Sequence, residues 1–296
     1  MGNILTKQFY RQRKDFEDSC AGRDAGLTFP EGVICSTDIA YADDGIKAHM
    51  LDIYRPEDSQ EKILPVIINV HGGGLIIGNK EFNRYFCALL CKKGFLVYSI
   101  EYRLIPDCLM YDQLSDVFMA MDYIKERLAA DGGDSSHVYM AGDSGGACLI
   151  TYANAIQNST NIARAANVTP SGLRINALGL ISGMFYTSRF DKIGLFLPKY
   201  LYGRDYKKTS FAKYVNPENR ELLNSLAPVW LVTSHNDFLR RYTTDFEKAL
   251  TRAEREHELV AFPKNKKLTH AFSVFEPFLP ESSEVIDMMV KYFRKF

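Results

Sequence analysis

The chain has 296 residues, 46% of them hydrophobic and 24% charged, an ordinary globular composition with ample length for one large core. Its 36 basic residues balance 36 acidic ones, so no global field favours nucleic acid or an anionic membrane, and the expected partner is a small molecule of little charge. The six cysteines form no CxxC pair and no paired metal spacing, so they read as buried free thiols of a reducing compartment.

At the N-terminus, Lys7, Arg11, Arg13, Lys14 and Asp15 fall where a signal peptide needs an apolar run, and no run approaches the length of a membrane span. A soluble, cytoplasmic protein is expected. Residues 1–32, with Phe9, Tyr10 and Phe16, fit either part of a small cap or a solvated helix. Ile34–Ala40 and Ala48–Tyr54 read as short strands joined by a turn at Asp43-Asp44-Gly45, because Asp-Gly between strand-like runs is a hairpin cue.

From there strands and helices alternate. Ile63–Val70, Phe95–Ile100, Val138–Ala141, Ala177–Ile181, Val229–Thr233 and Glu258–Phe262 are strand-like, and most are apolar on both faces. Phe82–Lys92, Leu114–Ala130, Ala147–Gln157, Tyr242–Glu256 and Ser282–Phe296 carry helical spacing. Doubly apolar strands alternating with helices predict an α/β fold, with a mostly parallel central sheet covered by helices on both faces. One segment, 184–226, is aromatic and poorly periodic. Its length between two strands suits a lid or insertion better than a plain loop, which makes it the second half of the cap.

Two glycine-rich strand ends carry the chemistry. Gly142-Asp143-Ser144-Gly145-Gly146 follows the apolar run Val138–Ala141 and fits the G-x-S-x-G nucleophile elbow, in which a sharp strand-to-helix turn lifts a serine above the sheet edge. The absence of a Cβ at Gly142 and Gly146 lets the two sides of such a turn crowd together. His71-Gly72-Gly73-Gly74 follows Ile63–Val70 and can aim backbone N–H groups at a single point, as an oxyanion hole requires. Taken alone, each could be an ordinary turn or a phosphate loop.

The order oxyanion loop, nucleophile, acid, histidine is that of α/β-hydrolases. More narrowly, the chain resembles the hormone-sensitive-lipase-like carboxylesterases from about residue 46 to its C-terminus. His71–Gly74 matches the HGGG loop, Gly142–Gly146 the GDSAGG elbow, and Tyr102-Arg103-Leu104-Ile105-Pro106-Asp107 the YRLAPE segment. Asn236-Asp237-Phe238-Leu239 resembles the strand end that carries the acid, and His270-Ala271-Phe272 the HGF turn that carries the base. The departures are Gly145 for Ala, Ile105 and Asp107 within the YRLAPE-like segment, Phe238 for Pro and Ala271 for Gly. None removes a reacting group.

The resemblance implies Ser144 as nucleophile, His270 as base and Asp237 as its orienting acid, with the N–H groups of Gly73, Gly74 and Gly145 binding the oxyanion. The residues themselves agree on placement, since Asp237 follows a strand end and His270 lies between the last strand and the last helix. His235 is the rival base, and Asp245 reads as a solvated helix charge. This chemistry needs no metal or organic cofactor. The expected function is serine carboxylesterase action on small, short-acyl esters. An amide or arylformamide hydrolase with the same triad is the alternative within that class, and a non-catalytic ligand-binding homologue is the alternative outside it. A monomer and a homodimer are equally compatible with the chain.

Overall fold

The apolar runs of the sequence become the strands of one sheet. A computed structural model describes residues 2–59 and 62–296; Met1, the first residue of the expected cap, lies outside them. The strands are β1 (Val33–Ala40), β2 (Met50–Pro56), β3 (Leu64–Val70), β4 (Leu96–Ile100), β5 (Gly133–Asp143), β6 (Ala177–Ile181), β7 (Val229–Ser234) and β8 (His257–Phe262). They lie in the order β1-β2-β4-β3-β5-β6-β7-β8. The pairs β1–β2 and β2–β4 are antiparallel, and every other neighbour pair is parallel.

The helices are α1 (Gly2–Asp24), α2 (Arg84–Cys91), α3 (Met110–Arg127), α4 (Ser144–Asn158), α5 (Thr160–Ala166), α6 (Lys192–Phe196), α7 (Pro198–Leu201), α8 (Arg220–Asn224), α9 (Arg240–Arg252), α10 (Phe272–Phe275) and α11 (Pro280–Phe293). Alternation along each strand divides the interior into two cores. Val66, Ile68 and Val70 of β3 face a core built with α3, α4, α5 and α9. Ile67, between them, faces the other core, with α2, α10 and α11.

One expectation changes. Residues 41–49 do not close as a tight turn at Asp43–Gly45. They fold back over α3, because the His49 ring lies between Asp44 Oδ2 at 2.6 Å and Asp116 Oδ1 at 3.1 Å, and Tyr41 Oη donates to Ala48 O and Glu101 O. Segment 184–226 carries three short α-helices, α6 to α8, within chain that is otherwise without α-helix or strand. Its aromatics look aperiodic because many pack on one another; the Phe211 ring meets Tyr111, Tyr152, Tyr202 and Tyr214.

The N-terminal stretch is one long helix, and it is docked. Phe9 packs edge-on against Tyr200 at 5.1 Å, and Phe16 lies 4.8 Å from Phe82. Arg23 covers the Phe82 ring at 4.3 Å and donates to Phe82 O. These contacts hold α1 across the carboxyl ends of the parallel strands.

Candidate active site

Strand register brings the two glycine-rich loops together. Val70, the last residue of β3, pairs with Gly142 of β5, so His71–Gly74 leaves the sheet beside Asp143 and Ser144. The approach is close. A Cβ on Gly146 would stand 2.1 Å from Val70 O, and one on Gly142 2.9 Å from the same atom. Only glycine permits both. Ser144 itself takes φ 49, a left-handed conformation that costs a non-glycine residue on the order of 1–2 kcal/mol and lifts its side chain off the sheet.

Gly73 and Gly74 also have positive φ, 96 and 62. Ile76 N and Ile77 N both donate to Gly73 O, which closes the loop into a tight turn. Among the described residues, the N–H groups of Gly73 and Gly74 donate to no protein atom. Gly145 N–H lies in the first turn of α4, where helix amides have no intrahelical acceptor. Gly145 packs directly on this loop, since a Cβ there would come within 2.9 Å of Gly74 N.

Asp237 and His270 come from the next strand ends. Asp237 follows β7 and is buried, and its Oδ1 stands 2.7 Å from His270 Nδ1. The same oxygen accepts from Leu239 N at 2.8 Å, and Oδ2 accepts from Thr233 Oγ1 at 2.8 Å. Burial pushes the Asp237 carboxyl up, but the His270 hydrogen bond and charge, with those two donors, outweigh it and hold it below its ordinary value. His270 follows β8, and the next residue, Ala271, takes φ 48 and donates its N–H to Ser182 Oγ at 3.1 Å.

Ser144, His270, Gly73 and Gly74 line one cavity of about 640 Å³. Ile76, Ile77, Met184, Ile193, Leu197, Phe238, Leu239 and Phe275 make most of its wall apolar, and α1 adds Gln12, Asp15, Phe16 and Ser19. The structure therefore brings Ser144, His270, Asp237 and the three glycines together. It leaves the rival base apart, with His235 facing Arg240 at 3.0 Å outside the cavity. Asp245, expected as a solvated charge, is instead paired with Arg189 at 2.8 Å.

Several supporting contacts of the motif residues are not visible in the sequence. Asp143 is buried, and its Oδ1 accepts from Gly72 N and Asn83 Nδ2, each at 3.0 Å, which ties the glycine loop to the elbow. Burial raises its pKa. His71 lies under the loop, stacked on Tyr102 at 4.3 Å, with Nε2 2.9 Å from Glu101 and Nδ1 2.9 Å from Gly72 O. Tyr102 Oη donates to His71 O at 2.8 Å. The apolar sequence around these polar residues was the available signal, because buried polar side chains need partners.

A family model for the alpha/beta hydrolase fold matches residues 67–273, most of the chain. The chain belongs to the alpha/beta hydrolase family. This alpha/beta hydrolase is 29% identical over 184 residues to a probable isoprenylcysteine alpha-carbonyl methylesterase of Oryza sativa subsp. japonica, matching 58% of the chain and 44% of that protein. It is 31% identical over 113 residues to tuliposide A-converting enzyme 2 of Tulipa gesneriana, matching 34% of the chain and 30% of that protein. The chain thus spans less than half the length of these curated relatives. Esterase B of Lactobacillus rhamnosus superposes with TM-score 0.92 at 22% identity, over 99% of this chain and 95% of that one. Among the described residues, no helix of this alpha/beta hydrolase is long and apolar enough to cross a membrane.

Proposed function

We propose that the protein is a serine carboxylesterase for small, largely apolar esters. One observation carries this reading: Ser144, Gly73, Gly74 and His270, the last held by buried Asp237, line a single largely apolar cavity. Ser144 Oγ adds to the ester carbonyl carbon as its proton passes to His270 Nε2. Asp237 holds Nδ1 and stabilises the imidazolium. The carbonyl oxygen takes the negative charge and is bound by the amides of Gly73, Gly74 and Gly145. As the tetrahedral species collapses, the C–O bond breaks and His270 protonates the leaving alcohol. Water, activated by the same histidine, then releases the acid from Ser144.

The methylesterase named among the relatives and the superposing esterase both support ester chemistry. The apolar wall and its volume favour a short or medium acyl chain, and α1 with the 184–226 segment serves as the cap over it. The test is hydrolysis of p-nitrophenyl esters from acetate to decanoate, with an anilide of the same acyl group and Ser144→Ala alongside. Hydrolysis that falls off with chain length and disappears in the variant supports the reading. Turnover of the anilide in preference to the ester would replace it with an amidase.

A further inference from the structure

The helix that covers the cavity also grips the loop that forms the oxyanion hole. The contact is a single guanidinium. Arg13 Nε donates to Ile76 O at 2.8 Å, Nη2 to Leu104 O at 2.9 Å and Ile105 O at 2.6 Å, and Nη1 to Asp107 Oδ2 at 2.7 Å. Tyr10, one turn earlier on α1, also donates to Asp107. The Arg13 side chain is largely buried, at 17% exposed. Its planar fork therefore closes on three carbonyls and a carboxylate from two loops, a pattern a lysine cannot reproduce.

Ile76 belongs to the turn whose N–H groups close on Gly73 O. Fixing Ile76 O from outside fixes the peptides that aim the Gly73 and Gly74 amides inward. The other side of the turn is also anchored, because Leu75 O accepts from Ile105 N at 3.0 Å and Gln113 Nε2 at 3.0 Å. Arg13 binds the carbonyl of that same Ile105. Thus the cap helix, the oxyanion loop and the Leu104–Asp107 segment meet at one side chain.

We infer that Arg13 is a positioning residue: docking of α1 through Arg13 sets the oxyanion loop, so the hole reaches its working geometry only with the cap helix seated. This rests on the hydrolase reading above and adds to it a division of labour along α1. Gln12, Asp15, Phe16 and Ser19 line the cavity and set which chain fits. Arg13, on the adjoining face, sets how well the transition state is held. A displaced donor loses most of its value, since stabilisation of this kind depends on placement within a fraction of an ångström.

The test compares the full-length parent with Arg13→Ala, Arg13→Lys and Phe16→Ala, using two inhibitors of one chain length. An alkyl trifluoromethyl ketone bonds to Ser144 Oγ, passes the serine proton to His270 and places an oxyanion in the hole. The matching alkyl alcohol reads the pocket wall alone. Arg13→Ala should lower kcat about tenfold and weaken the ketone similarly, with KM and alcohol affinity held within about twofold. Arg13→Lys should fall between, because it keeps Asp107 and loses the fork; it carries the same comparison should Arg13→Ala fold poorly. Phe16→Ala, which opens the cavity wall and also removes a ring contact of α1, should shift KM and alcohol affinity more than Arg13→Ala does, with a smaller loss of kcat. Equal weakening of ketone and alcohol by Arg13→Ala, or an unchanged kcat, overturns the inference alone. A parent without Ser144-dependent hydrolysis overturns the hydrolase reading and this inference with it.

Discussion

Gly145 packs so closely on Gly74 that a Cβ at position 145 would stand 2.9 Å from the Gly74 amide nitrogen and 2.8 Å from Leu75 N. Both neighbours are backbone, so neither can swing away as a side chain would. The resemblance to hormone-sensitive-lipase-like esterases puts alanine at this position, and here the oxyanion loop is drawn in further than alanine allows.

Gly145→Ala should therefore push the Gly73–Leu75 backbone outward and cost hydrolysis. Displacement of the loop by a few tenths of an ångström would weaken two of the three proposed oxyanion donors, and loss of one such donor typically costs on the order of a hundredfold in rate. A fall in kcat of about tenfold is the expected outcome, with KM little changed, from steady-state kinetics on p-nitrophenyl butyrate. A variant with parental kcat would mean that the loop yields without harm.

Phe238 stands where the related segment has proline, and its ring lies 4.3 Å from that of His270 while remaining 73% exposed. It forms one side of the cavity mouth. Phe238→Ala should raise KM for short apolar esters about fivefold, which corresponds to the loss of roughly 1 kcal/mol of partial apolar contact. It should leave kcat near the parent's and improve turnover of branched-alcohol esters. A paired series of linear and branched esters checks this, and an unaltered ratio between them would exclude Phe238 from substrate contact.

The sheet and the meeting of Ser144 with the glycine loop were legible because both depend on local pattern. β6 fell within its expected bounds, Ala177–Ile181, since an apolar run buried on both faces leaves one reading. Ser144 and the glycine loop announced themselves through backbone geometry that only glycine satisfies, as Gly146 shows against Val70. The supporting residues were not legible. Asp143, Glu101 and Arg13 act on partners 71, 30 and 63 positions away in sequence, and no local period links such pairs. The α6 to α8 helices escaped for another reason. They are only four or five residues long, too short to show a 3.6-residue stripe.

Asp143 joins the two halves of the site through hydrogen bonds to Gly72 N and Asn83 Nδ2. Asp143→Ala leaves Gly72 N–H buried without an acceptor and Asn83 Nδ2 with only its 3.4 Å bond to Asn69 Oδ1, a loss of about 1–3 kcal/mol in stability. It also frees the glycine loop, so kcat should fall as well. Asp143→Asn keeps an oxygen at the same place and removes a buried carboxyl, and it should recover most of the lost stability. Urea unfolding of the three proteins measures the order, and an Asn variant as unstable as the Ala variant would show that the charge itself matters.

His71 provides a pH dependence that can be assigned to one contact. Burial alone would push the His71 imidazolium down, but the Glu101 charge and hydrogen bond, with Gly72 O and Asp143, outweigh it and raise the pKa above its ordinary value. Both ring nitrogens face acceptors, so the folded protein favours the doubly protonated ring. A raised pKa on a basic group means that the stabilisation is fully present below the unfolded value, about 6.5, and is lost as pH rises through the folded value. The free energy of unfolding should thus decline on the alkaline side. Glu101→Gln keeps an oxygen for Lys80 N and removes the charge that sustains the imidazolium, so the variant's decline above about pH 6.5 should be shallower than the parent's. Urea midpoints across that range decide the matter: parallel curves for the two proteins would place the alkaline loss elsewhere in the molecule.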